Sequence, residues 1–109
     1  MIAIIDYGMG NLRSVQKAFE FLGMQAVITE EASVIEKADK VVLPGIGAFA
    51  DAMATIKQKN IDKALYRVVE QKKPLLGICL GMQMFFEKSY EYGEHEGLSL
   101  LKGEIRRLP

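Results

Sequence analysis

Four short apolar runs punctuate the chain, and stretches with helical spacing of apolar residues separate them. Ile2–Ile5 reads as a strand buried on both faces. Leu12, Val15, Phe19 and Leu22 then recur at helical intervals, with Asn11 as a cap before them and Gly23 as a stop after them. Gln25–Thr29 predicts a second strand, and Ser33–Lys37 a short helix capped by Ser33. Lys40–Leu43 predicts a third strand, followed by a helix from about Ala48 to Lys57. Asn60 is placed to cap another helix, whose apolar face is Ile61, Ala64, Leu65, Val68 and Val69. Leu75–Ile78 predicts a fourth, buried strand, with a helix from Leu80 to Lys88 behind it. Tyr90 to Gly97 reads as a loop, and Gly103 to Leu108 as a further strand.

Alternating strands and helices predict an α/β fold: a parallel sheet with helices on both faces. In such sheets ligands bind beyond the carboxyl ends of the strands. Glycine-bearing loops at residues 6–11, 44–47 and 79–81 each follow a predicted strand. All three are therefore expected on one edge of the sheet, which marks that edge as the place for a site.

Composition narrows the partners. The 109 residues are half hydrophobic, and 14 basic residues balance 14 acidic ones, leaving no net charge. That balance argues against a nucleic-acid footprint or a membrane-surface patch. The single cysteine excludes an internal disulfide and fits a reducing compartment. Asp6 interrupts the first apolar run, so no signal peptide is expected, and no segment is long and apolar enough to span a bilayer. A cytoplasmic location is the expectation.

The chemistry concentrates in Gly77-Ile78-Cys79-Leu80-Gly81. A strand running into Gly-x-Cys-x-Gly and then a helix is the thiol form of a nucleophile elbow. Side chains at the two glycines would crowd so sharp a turn. A helix N-terminus favours thiolate over thiol, and the Leu80 amide is placed to donate to an oxyanion. A lone cysteine in an apolar stretch is more often an inert core residue; the paired glycines shift the balance toward a nucleophile. Pro44-Gly45-Ile46-Gly47, an ordinary strand-to-helix turn when taken alone, becomes a candidate second oxyanion donor at the same sheet edge.

Gly77-Ile78-Cys79-Leu80-Gly81-Met82-Gln83 resembles the nucleophile motif of the triad (class I) glutamine amidotransferases. Asp6-Tyr7-Gly8-Met9-Gly10-Asn11, Pro44-Gly45-Ile46-Gly47-Ala48-Phe49 and Gly97–Gly103 narrow the resemblance to the glutaminase subunits of imidazole glycerol phosphate synthases, and it covers the whole chain. The resemblance implies a flavodoxin-like fold, hydrolysis of glutamine to glutamate and ammonia, no cofactor and no metal. It implies Cys79 as nucleophile, Gly47 and Leu80 at the oxyanion, and Gly45, Gln83 and Glu91 at the substrate. Glu91 reads equally well as a solvated acid beside Glu94 and Glu96. Tyr7, Gly8 and Asn11 are candidates to face a cyclase/synthase partner, because their loop borders the edge that carries Cys79.

The family's catalytic His-x-Glu pair lies well downstream of the nucleophile and is missing here. The only histidine, His95 in His95-Glu96-Gly97, matches no catalytic position and reads as a surface loop residue. Residues 1–109 are thus expected to form the N-terminal part of a single amidotransferase domain, inactive alone, with an apolar edge and face that invite self-association. Two other readings stay open: a non-catalytic flavodoxin-like binding domain with an incidental cysteine, and a thiol enzyme of the DJ-1/PfpI type.

Overall fold

The computed structural model describes residues 1–8 and 11–109. Four strands, β1 (Ile2–Ile5), β2 (Ala26–Thr29), β3 (Lys40–Leu43) and β4 (Leu75–Gly77), form a wholly parallel sheet in the order β2-β1-β3-β4. The helices are α1 (Leu12–Phe21), α2 (Ala32–Lys37), α3 (Phe49–Gln58), α4 (Ile61–Glu70) and α5 (Leu80–Gln83).

Both faces of the sheet carry helices, for a reason visible in the strand alternation. Ala3, Ile5, Val41 and Leu43 point to the face covered by α2, α3 and α4, where Ile35, Phe49, Ile56, Ile61 and Leu65 complete the larger core. Ile2, Ile4 and Val42 point the other way, toward Leu12, Val15 and Phe19 of α1. Asn11 caps α1 as expected, its side chain accepting from the Ser14 amide at 3.3 Å. Gly23, at φ +83°, ends it in the left-handed conformation that glycine adopts without penalty.

Several local expectations are corrected. Leu22 and Val69 are exposed, because each falls beyond the apolar stripe of its helix. Ser33 lies inside α2; Glu31 stands at the N-cap and makes no side-chain cap bond. Asn60 occupies the cap position of α4 but likewise makes no cap bond. Its φ of +59° serves the turn out of α3, a conformation that asparagine tolerates better than most residues.

The fourth strand differs most. It was expected to be buried, yet Leu76 is 51% exposed. The strand order leaves β4 at the sheet edge, and α1 packs chiefly over β1 and β2. An open apolar groove of about 350 Å³ results, lined by Ile2, Phe19, Met24, Val42, Leu75 and Leu76 among others.

Beyond α5 the chain builds a second, smaller sheet. Its strands β5 (Lys88–Ser89), β6 (His95–Glu96) and β7 (Glu104–Ile105) lie in the order β6-β5-β7. The predicted loop over 90–97 therefore contains a strand. Two-residue strands carry no periodic signal to reveal them. Among the described residues, no helix is long and apolar enough to cross a membrane.

Candidate active site

Parallel β1, β3 and β4 deliver their following loops to one edge, as the topology requires. Three contacts prove the loops adjacent. The Tyr7 hydroxyl donates to the Pro44 carbonyl at 2.6 Å. The Leu80 amide donates to the Gly45 carbonyl at 3.1 Å, and the Ile78 amide to the Leu43 carbonyl at 3.0 Å. Met9 and Gly10 of the first loop lie outside the described residues.

Cys79 forms the corner between β4 and α5. Its backbone sits at φ +54°, ψ −119°, a combination non-glycine residues rarely adopt. Its thiol is free and exposed. The two glycines are there because the surrounding backbone comes too close for a side chain. A Cβ on Gly81 would stand 1.8 Å from the Leu43 carbonyl oxygen. One on Gly77 would stand 2.5 Å from the Phe85 ring and 2.6 Å from Met82 Cα. Such crowding is the steric reason the motif predicts.

The helix behind the cysteine is shorter than the sequence implies. It runs only from Leu80 to Gln83, because the chain turns away toward β5. One turn aligns few peptide dipoles, so the support from a helix N-terminus is correspondingly small. The remaining candidates are distributed unevenly. Gly47 is exposed at φ +103°, and Gly45 is buried. Gln83 is half-buried at the end of α5.

The Leu80 amide is not free. Its proton already points at the Gly45 carbonyl, so that carbonyl must turn away before Leu80 can meet an oxyanion. Tyr7 also departs from its expected place. Its ring is 1% exposed, so it faces the protein interior and not a partner. Packing under Pro44 accounts for this, and burial pushes its hydroxyl pKa up to about 12. Gly8 and Asn11 are exposed.

Glu91 is half-buried and lines a small cavity with Ala48, Phe49, Ser89, Tyr92 and His95. The structure thus brings Glu91 beside the residues that follow the Gly47 turn. Sequence reasoning missed the buried Ser89, whose hydroxyl accepts from the Glu91 amide at 3.3 Å. His95 belongs to β6 and is half-buried, correcting its reading as a surface loop residue. Its Nε2 lies 2.8 Å from the Tyr92 carbonyl oxygen. Among the described residues, no group of three metal-ligating side chains comes together.

Residues 7–108 match the CobB/CobQ-like glutamine amidotransferase domain. The chain is 52% identical over 108 residues to the imidazole glycerol phosphate synthase subunit HisH of Oceanobacillus iheyensis, covering 99% of this chain and 54% of that protein. It is 54% identical over 107 residues to HisH of Aquifex aeolicus, covering 97% and 52%. The chain thus spans about half the length of the curated relatives it matches. A solved glutamine amidotransferase shares its fold with a TM-score of 0.81, at 20% identity, over 98% of this chain and 57% of that one.

Proposed function

Because this chain belongs to the CobB/CobQ-like glutamine amidotransferase family, we propose that it carries the nucleophile half of a glutaminase. The exposed Cys79 on its strained, glycine-flanked corner is the observation that carries this reading. The Cys79 sulfur attacks the side-chain amide carbon of glutamine, and the carbonyl electrons move onto oxygen. The intermediate collapses and expels the protonated nitrogen as ammonia, leaving a γ-glutamyl thioester. Water then adds, the thiol leaves, and glutamate is released. Amides at Gly47 and Leu80 hold the oxyanion once the Gly45 carbonyl has swung aside, while Gly45, Gln83 and Glu91 hold the substrate.

The leaving nitrogen needs a proton, and acid–base assistance is worth roughly 10²–10⁴-fold. His95 is not its source in this reading. Its Nε2 is engaged with the Tyr92 carbonyl, and it belongs to strand β6. The acid–base pair instead comes from the half of the domain that the HisH relatives have in addition. In this reading the chain works in the cytoplasm as part of a heterodimer in histidine biosynthesis, and its ammonia passes to the cyclase/synthase subunit of imidazole glycerol phosphate synthase. Its relatives' being named as subunits of that synthase supports the assignment. Gly8 and Asn11, exposed beside the same edge, are candidates to meet that subunit.

The test is glutamate release from glutamine. Four samples are compared: this chain, this chain with His95→Ala, this chain plus a separately made C-terminal half and synthase subunit, and that mixture with Cys79→Ala. Turnover is expected only in the third. Turnover by the chain alone that His95→Ala abolishes would make His95 the base and overturn the assignment. Equal turnover in the third and fourth samples would remove Cys79 from the chemistry.

A further inference from the structure

We propose that Tyr7 is a positioning residue for the oxyanion loop: its buried hydroxyl holds the Pro44 carbonyl and thereby sets the Gly45 carbonyl against the Leu80 amide. The inference rests on reading Cys79 and the amides around it as a glutaminase site.

The contacts form a continuous chain. Tyr7 lies two residues beyond β1, and its hydroxyl donates to the Pro44 carbonyl at 2.6 Å. The next residue is wedged against the same hydroxyl: a Cβ on Gly45 would stand 1.8 Å from the Tyr7 oxygen, 3.1 Å from its Cζ and 3.4 Å from Leu80 Cβ. Gly45 in turn accepts from the Leu80 amide at 3.1 Å. The peptide before Gly45 is therefore fixed by Tyr7, and the peptide after it carries the carbonyl that occupies Leu80. Opening the Leu80 amide requires rotation at Gly45 while the Pro44 side stays anchored. Glycine is the residue that permits such rotation, and the packing leaves room for no other. Burial raises the Tyr7 pKa, so the hydroxyl keeps its proton, and its role as donor, throughout the neutral range.

Hydrogen exchange of single amides in the 109-residue chain reads this directly. With Tyr7→Phe, the Leu80 amide is expected to exchange about fivefold faster, the equivalent of one lost net hydrogen bond. The Val42 and Ile4 amides of the sheet serve as references and should keep their rates. An unchanged Leu80 rate, or an equal acceleration of the references, overturns the proposal. A second pair of variants gives an independent readout. Gly45→Ala should expose Leu80 by driving a methyl group into the Tyr7 hydroxyl, and adding Tyr7→Phe should restore part of its protection by removing that oxygen. A double variant no better protected than Gly45→Ala alone also overturns it. Exchange is measured without glutamine. Absence of glutamate release from the completed enzyme would therefore sink the glutaminase reading and leave the Leu80 result standing. An unchanged Leu80 rate would sink only the role of Tyr7.

Discussion

Tyr66 of α4 donates its hydroxyl to the Leu98 carbonyl at 2.8 Å, across 32 residues of chain. Leu98 follows β6 and is itself buried. The bond ties the segment that builds the small sheet to the helices that cover the large one.

Tyr66→Phe should therefore lower stability by about 1 kcal/mol, the net worth of one hydrogen bond. Urea denaturation measures it. A midpoint equal to wild type would mean that packing of Leu98 alone anchors this segment.

Alkaline pH should destabilise the chain through Tyr7. Its folded pKa of about 12 exceeds the unfolded value of about 10. The folded state thus holds the phenolic proton more tightly. This contribution is complete below about pH 10 and is lost as pH rises toward about 12. Tyr66 is shifted the same way, by burial first and by the Asp62 charge second, and acts in the same direction. Between the two ends of this window the urea midpoint should fall less in Tyr7→Phe than in wild type, and Tyr66→Phe should separately remove that residue's own part of the fall. Equal slopes in Tyr7→Phe and wild type would exclude Tyr7 as the source.

Core and edge leucines should respond very differently to truncation. Leu65 is fully buried among the helices of the larger core, so Leu65→Ala should cost about 2–5 kcal/mol. Leu76 is half exposed on the edge strand, and Leu76→Ala should cost well under about 1 kcal/mol. Comparable losses in the two variants would show that the β4 edge is covered in solution, and sedimentation would then reveal a larger particle.

Gly81→Ala tests the fit of the elbow. Its methyl group would have to displace the Leu43 carbonyl, a backbone atom with little freedom to yield. A loss of roughly 1–3 kcal/mol is expected from overpacking, read as a lower thermal midpoint. A neutral result would mean that the corner at Cys79 is looser than its contacts indicate.

The sequence revealed much of this molecule where a residue's surroundings are local or periodic. Ile2–Ile5 reads as a strand because every position is apolar, and it is buried throughout. Gly77 and Gly81 announce the elbow because only a close backbone approach explains two glycines around a cysteine. Other features depend on partners far along the chain. The exposure of Leu76 follows from its rank in the sheet, which no window of residues encodes. The inward turn of Tyr7 depends on Pro44, 37 positions away. The engagement of Leu80 by Gly45 depends on how two loops dock. Of the second sheet, the sequence shows only the strand over Gly103 to Leu108, which narrows to Glu104–Ile105; its other two strands are too short to alternate.

The place of β1 between β2 and β3 has a consequence for biosynthesis. β1 precedes both of its partners along the chain yet is central in the finished sheet, and its Ile2 waits for Lys40 to complete the second of its two pairings. Until then an entirely apolar tetrapeptide has one unpaired edge, and pairings this distant along the chain slow folding. β1 is therefore central to the finished sheet and its most exposed segment while the chain is being made.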